Sequence, residues 1–110
     1  MIEANLTYNQ RQYQRMIASI DAYESGQMSL PKLIDNLDAL LGCLENLSGE
    51  WYDSFMGEWT VLEEVYAVAL DRKGGRLEDD DLRKIASAVN AIRIMVSDAA
   101  LSRVDALEVA

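Results

Sequence analysis

The stretch LPKLIDNLDALLGCLENL, residues 30–47, decides the fold. Leu30, Leu33, Ile34, Leu37, Leu40, Leu41, Leu44 and Leu47 recur at three- and four-residue spacing, the signature of one apolar stripe on a helix. Ser29 stands where an N-cap belongs, Pro31 is tolerated in a first turn, and Ser48-Gly49 closes the segment. A helix over 30–47 that is greasy along one side needs neighbours to cover it, and three further helical segments supply them.

Upstream, Thr7 and Gln10 fit a capping box and Gly26 a C-terminal stop, predicting a helix over 7–25 with Tyr13, Met16, Ile17, Ile20 and Tyr23 inward. Downstream, a helix is expected over 50–71. Trp51, Phe55, Trp59, Leu62, Tyr66 and Leu70 share one face, and Val61, Val65 and Val68 form a second apolar strip beside it. Two apolar strips imply a central position in the bundle. Arg72 and Lys73 suit the negative end of that helix, and Gly74-Gly75 its termination. A fourth helix starts near Asp80 or Asp81, with Leu82, Ile85, Ala86, Val89, Ile92 and Val96 as its core face. It either continues to about residue 108 or breaks at Ser97-Asp98 into a fifth helix. No segment alternates like a strand. The expected fold is all-α: one domain over 1–110, a compact antiparallel bundle of four to five helices.

The composition narrows function. The 110 residues carry a net charge of −9. That argues against direct nucleic-acid binding, which needs clustered Lys and Arg, and against an anionic membrane surface. A basic protein is the natural complement. Residues 1–32 hold three bases and three acids, and residues 72–110 seven of each. Residues 33–71 hold no Lys or Arg and nine acids: Asp35, Asp38, Glu45, Glu50, Asp53, Glu58, Glu63, Glu64 and Asp71. Helical spacing gathers Asp35, Asp38, Gly42 and Glu45 off the leucine stripe, and Asp53, Gly57, Thr60, Glu64 and Asp71 opposite the tryptophans. Ordinary surfaces mix signs, so Asp35, Asp38, Glu45, Asp53, Glu64 and Asp71 are the candidate partner-binding residues. A merely solubilising face is the competing reading. Asp79, Asp80 and Asp81 read as helix capping.

Catalytic chemistry lacks its usual parts. With no histidine, the commonest general base and metal ligand are missing. The single cysteine, Cys43, lies in an apolar run and reads as a buried structural thiol without an activating imidazole. No phosphate-cradling loop or calcium-loop spacing occurs. No enzyme activity, metal or cofactor is expected. With neither a signal-peptide pattern nor a membrane-spanning run, the expected location is the cytoplasm and the favoured state a monomer. The Trp51, Phe55, Trp59 ladder reads as core, with the Trp51 indole N–H at the surface.

Tyr23-Glu24-Ser25-Gly26, the leucines from Leu30 to Leu40, then Trp51, Phe55, Trp59, Leu62-Glu63, Tyr66-Ala67 and Leu70-Asp71 resemble small helical immunity proteins. These accompany bacterial polymorphic toxins, including contact-dependent growth inhibition systems. The resemblance covers roughly residues 20–85 and rests on apolar and aromatic spacing. It implies a protein that binds and blocks the toxic domain of a cognate effector, often a nuclease, and it transfers no site residue. A small acidic secretion chaperone or adaptor, or a structural subunit of an assembly, is the alternative expectation.

Overall fold

The computed structural model describes the backbone of residues 7–109 and the side chains of residues 7–101. Four helices follow one another: α1 (Tyr8–Glu24), α2 (Leu30–Cys43), α3 (Gly49–Lys73) and α4 (Asp79–Val109). No strand occurs among the described residues.

The boundaries have local causes. Thr7 Oγ1 accepts from the Gln10 backbone N–H (3.1 Å), and Gln10 Oε1 accepts from the Thr7 N–H (3.0 Å), completing the capping box. Ser29 and Ser48 accept from the backbone N–H groups of Lys32 and Trp51. Gly74, at φ 64°, ends α3 in a left-handed turn that a β-carbon would strain. At the head of α4, Asp81 Oδ2 accepts from the Glu78 N–H (3.0 Å), so the helix begins at Asp79, slightly earlier than the acids alone suggested. Through Ser97-Asp98 the helix runs on unbroken, so of the two readings the continuous helix holds, and no fifth helix occurs among the described residues.

Packing closes a four-cornered ring. α1 lies against α2 and α4, and α3 against α2 and α4, while neither diagonal pair approaches closely through the backbone. Short turns force this up-and-down order. The interior is Tyr13, Met16 and Ile20 of α1, Leu30, Leu33, Ile34, Leu37 and Leu41 of α2, Phe55 and Leu62 of α3, and Ile85, Ala88, Val89, Ile92 and Val96 of α4.

Several expectations are corrected. α3 occupies one corner, not the centre. Its buried residues Phe55, Leu62 and Ala69 recur every seven residues along a single seam, Val61 and Val65 are half-buried, and Val68 is exposed. Leu70 (53% exposed), Leu82 (46%) and Ala86 leave the core. The Trp59 indole bonded to the Ile34 carbonyl fixes the α2–α3 register. α3 continues 14 residues beyond Trp59, about 21 Å, whereas α2 begins only four residues, about 6 Å, before Ile34. The α3–α4 hairpin therefore overhangs the shorter pair, and Ala69 and Ile85 are still buried there while Leu70 and Leu82 are exposed.

α2 stops at Cys43 instead of Leu47. The Asn9 side chain donates to the Glu45 carbonyl (2.7 Å) and accepts from the Glu45 N–H (3.0 Å), holding that backbone extended after the helix. Asn46 then turns the chain at φ 58°. Cys43 is exposed, not buried, because it lies some 200° around α2 from the buried Leu41. It sits beside Tyr8, whose phenol pKa is raised by partial burial and then by the Cys43 group.

Candidate functional site

The six candidate acids, Asp35, Asp38, Glu45, Asp53, Glu64 and Asp71, are all exposed. Two internal contacts orient α2. Asn36 reaches Ser19 of α1 (3.5 Å), and the Ile34 carbonyl accepts from Trp59 of α3 (2.9 Å). At about 100° per residue, Asp38 lies some 40° from Ile34 and about 160° from Asn36, so it stands on the flank of α2 that opens toward α3. Asp35, about 100° from both Ile34 and Asn36, points outward next to that flank.

On α3, Glu63 is one turn from Trp59 and exposed, so it borders the same seam. Asp53, Glu64 and Asp71 point outward, roughly opposite Phe55 and Leu62. From Asp53 to Asp71 this row is about 27 Å long. The α2 flank, the seam and the outer row face one side of the molecule. Glu45 departs from the expected set: it lies past the end of α2, in the turn gripped by Asn9, and belongs to the base of the bundle.

The side chains of the nine acids of 33–71 have no hydrogen-bond or ion-pair partner among the described residues. All except half-buried Glu58 are exposed. Pairing is concentrated elsewhere. Arg93 of α4 binds Asp21 of α1 at 2.9 Å and also Glu24. Burial lowers the Arg93 pKa, but these two carboxylates outweigh it and leave the pKa raised. Lys73 binds Glu78 and Asp81, each at 2.8 Å, and the hydrogen bond to Asp81 chiefly holds the ammonium above its ordinary range. Reciprocally, Lys73 and the Glu78 N–H hold the Asp81 carboxyl below the usual carboxylate range. Arg83 and Lys84 do the same to Asp80. Of the three, Asp81 caps the start of α4, as the capping reading expected, and Asp80 pairs along the first turns.

Gly57 adds a second feature to the outer row. It lies within α3 and is exposed, and a β-carbon there would meet nothing within 4 Å. Glycine inside a helix costs roughly 0.5–1 kcal/mol relative to alanine, and no neighbour in the fold demands it.

The sequence did not single out a concavity that lies next to these acids. An open cleft of ≈ 610 Å³ lies at the base, where α3 begins and α4 passes. The Trp51 ring stacks on Phe55 (centroids 5.4 Å apart) and tilts against Tyr13 (5.9 Å). Only the expectation that Trp51, an aromatic at a helix start, keeps its indole N–H at the surface hinted at it. Among the described residues no group of three or more His, Cys, Asp or Glu side chains is gathered to hold a metal. No helix is long and apolar enough to cross a membrane. Compared with known proteins, the chain matches no family model, no curated protein and no solved structure.

Proposed function

We propose that this protein is an immunity protein, binding a basic, nuclease-type toxin domain in the cytoplasm through the acidic α2–α3 side and covering that domain's substrate face. The observation that carries the reading is the run 33–71, with nine acids, no base and no internal ion pair among the described residues. Like charges left together repel and lower stability. A cationic partner relieves that repulsion. A domain that grips phosphate must be cationic, so an acidic inhibitor competes for the same field. Complementary charge accelerates encounter, toward about 10⁸ M⁻¹s⁻¹ at low salt, and makes it salt-dependent. Gly57 supports a contact there, since the missing β-carbon lets a partner approach the helix closely.

The test is co-expression and stopped-flow association with the toxin domain encoded beside the gene. Two triple variants serve: Asp35, Asp38 and Glu45 to Lys, and Asp53, Glu64 and Asp71 to Lys. Each is expected to slow association by tenfold or more, on the order of 1.4 kcal/mol in the encounter barrier, with an unchanged helical spectrum. Because Glu45 lies apart from the α2 flank, the Asp53, Glu64 and Asp71 set is expected to act more strongly. Unchanged rates and full protection by both variants refute the acidic-face mechanism. Failure of the wild type to protect against any neighbouring toxin refutes the immunity reading and favours the chaperone alternative.

A further inference from the structure

The base cleft has a composition that selects its occupant. Its floor is aromatic, with Trp51 half-buried over Phe55 and against Tyr13, and Met95 of α4 lines one wall. Glu50 and Asp98 stand exposed on its rim, Ser54 lines it one turn along α3 from Glu50, and among the described residues no Lys or Arg lines it. The rim joins the acidic side already described, since Glu50 is about 60° around α3 from Asp53.

We infer that this cleft receives an arginine side chain of the protein partner, the guanidinium lying over the Trp51 indole and reaching the Asp98 and Glu50 carboxylates. This rests on the proposal that a basic protein binds the acidic side. A planar guanidinium stacks on an aromatic face while donating in its own plane, which a compact ammonium does not do. An open, aromatic-floored pocket near the end of a charged face is also where an interface anchor gains most from desolvation.

The two carboxylates are not equivalent. Glu50 sits in the first turn of α3, where the positive helix end offsets part of its charge. Asp98 lies mid-helix in α4, so no helix end offsets its charge, and it makes no ion pair among the described residues. Asp98 is therefore the main electrostatic contact and Glu50 the lesser one. The same helix end raises the opposite possibility, an anion on the N–H groups of Gly49 and Glu50, and the test separates the two.

The intact protein, labelled with ¹⁵N, is titrated with N-acetyl-arginine methylamide, with the neutral citrulline analogue, and with inorganic phosphate. The arginine probe is expected to shift the Trp51 indole N–H and the backbone amides of Asn46, Ser54 and Met95. The Trp59 indole, already bonded to Ile34, stays still and serves as an internal control. Asp98→Asn is expected to weaken the probe about two- to fivefold, the range of an exposed ion pair, and Glu50→Gln less. Equal shifts with the citrulline analogue overturn the inference, as do shifts with phosphate alone. Arginine shifts spread evenly over the amides of Asp35, Asp38, Glu64 and Asp71 overturn it too. A cleft that ignores the probe leaves the immunity proposal standing, because that proposal is read on other residues with a protein partner.

Discussion

Along the α4 side, Arg93 fastens Asp21 and Glu24 of α1, and Lys73 fastens Glu78 and Asp81 across the last turn. Along the α2–α3 side, the carboxylates of Asp35, Asp38, Asp53, Glu63, Glu64 and Asp71 stand without an ion-pair partner among the described residues. Both sides cover the same core. The first uses charge to join elements: Arg93 links α1 to α4, and Asp81 ties the start of α4 to the end of α3. The second leaves its charge unused by the fold, so the fold offers no reason for its one-signed pattern. Charge that contributes nothing inward is free to act outward, and this contrast locates the proposed interface.

The contrast requires a single core beneath two different surfaces, and the largest predicted effect tests that. Leu37→Ala on the acidic side and Ile92→Ala on the paired side each remove a fully buried side chain. Each is expected to cost about 2–5 kcal/mol in one cooperative thermal transition. Two separate transitions, each moved by only one variant, would divide the molecule into independent halves.

Next in size is an acid response confined to the paired side. The Asp81 pKa is depressed in the folded state, so its contribution is present above the ordinary carboxylate value of about 3.9 and is lost as pH falls through the folded value. Asp81→Asn is expected to melt below wild type at neutral pH, with the gap closing as the solution is acidified. A gap unchanged at low pH would mean that the Lys73–Asp81 contact does not contribute.

A smaller effect of opposite sign belongs to the acidic side. Gly57→Ala is expected to raise unfolding free energy by about 0.5–1 kcal/mol in urea titration, while weakening partner binding. Gain of stability without loss of binding would remove Gly57 from the interface. The smallest effect is ionic. Salt raised from about 0.01 to 0.15 M should raise the melting temperature by screening self-repulsion. Asp53→Asn, Glu64→Gln and Asp71→Asn together should flatten that rise.

Helix positions and most of the core were legible because three- and four-residue periodicity and caps are local. Leu30, Leu33, Ile34, Leu37 and Leu41 are buried as that period dictates, and Thr7 and Gln10 cap as their spacing implies. Legibility failed where a distant residue decides. The end of α2 is set by Asn9, 36 positions before the Glu45 backbone it grips. Leu70 and Leu82 lie on apolar faces but sit where α1 and α2 have already ended, and relative helix length is not a local property. The acidic rows were visible as composition. Their placement on one side needed the Trp59–Ile34 contact, and the base cleft needed three helices brought together.

The same base-free run makes more than a third of the chain silent to a common protease. Trypsin cuts after Lys and Arg, so the segment between Lys32 and Arg72 offers no cleavage point, folded or unfolded. Digestion of the denatured chain releases most of α2 and nearly all of α3 as one acidic peptide, residues 33–72, holding both tryptophans. Tryptic protection therefore reports the opening of α1, α4 and the two junctions, while exposure of the acidic helices passes unrecorded until an enzyme that cuts at acidic or aromatic residues is used.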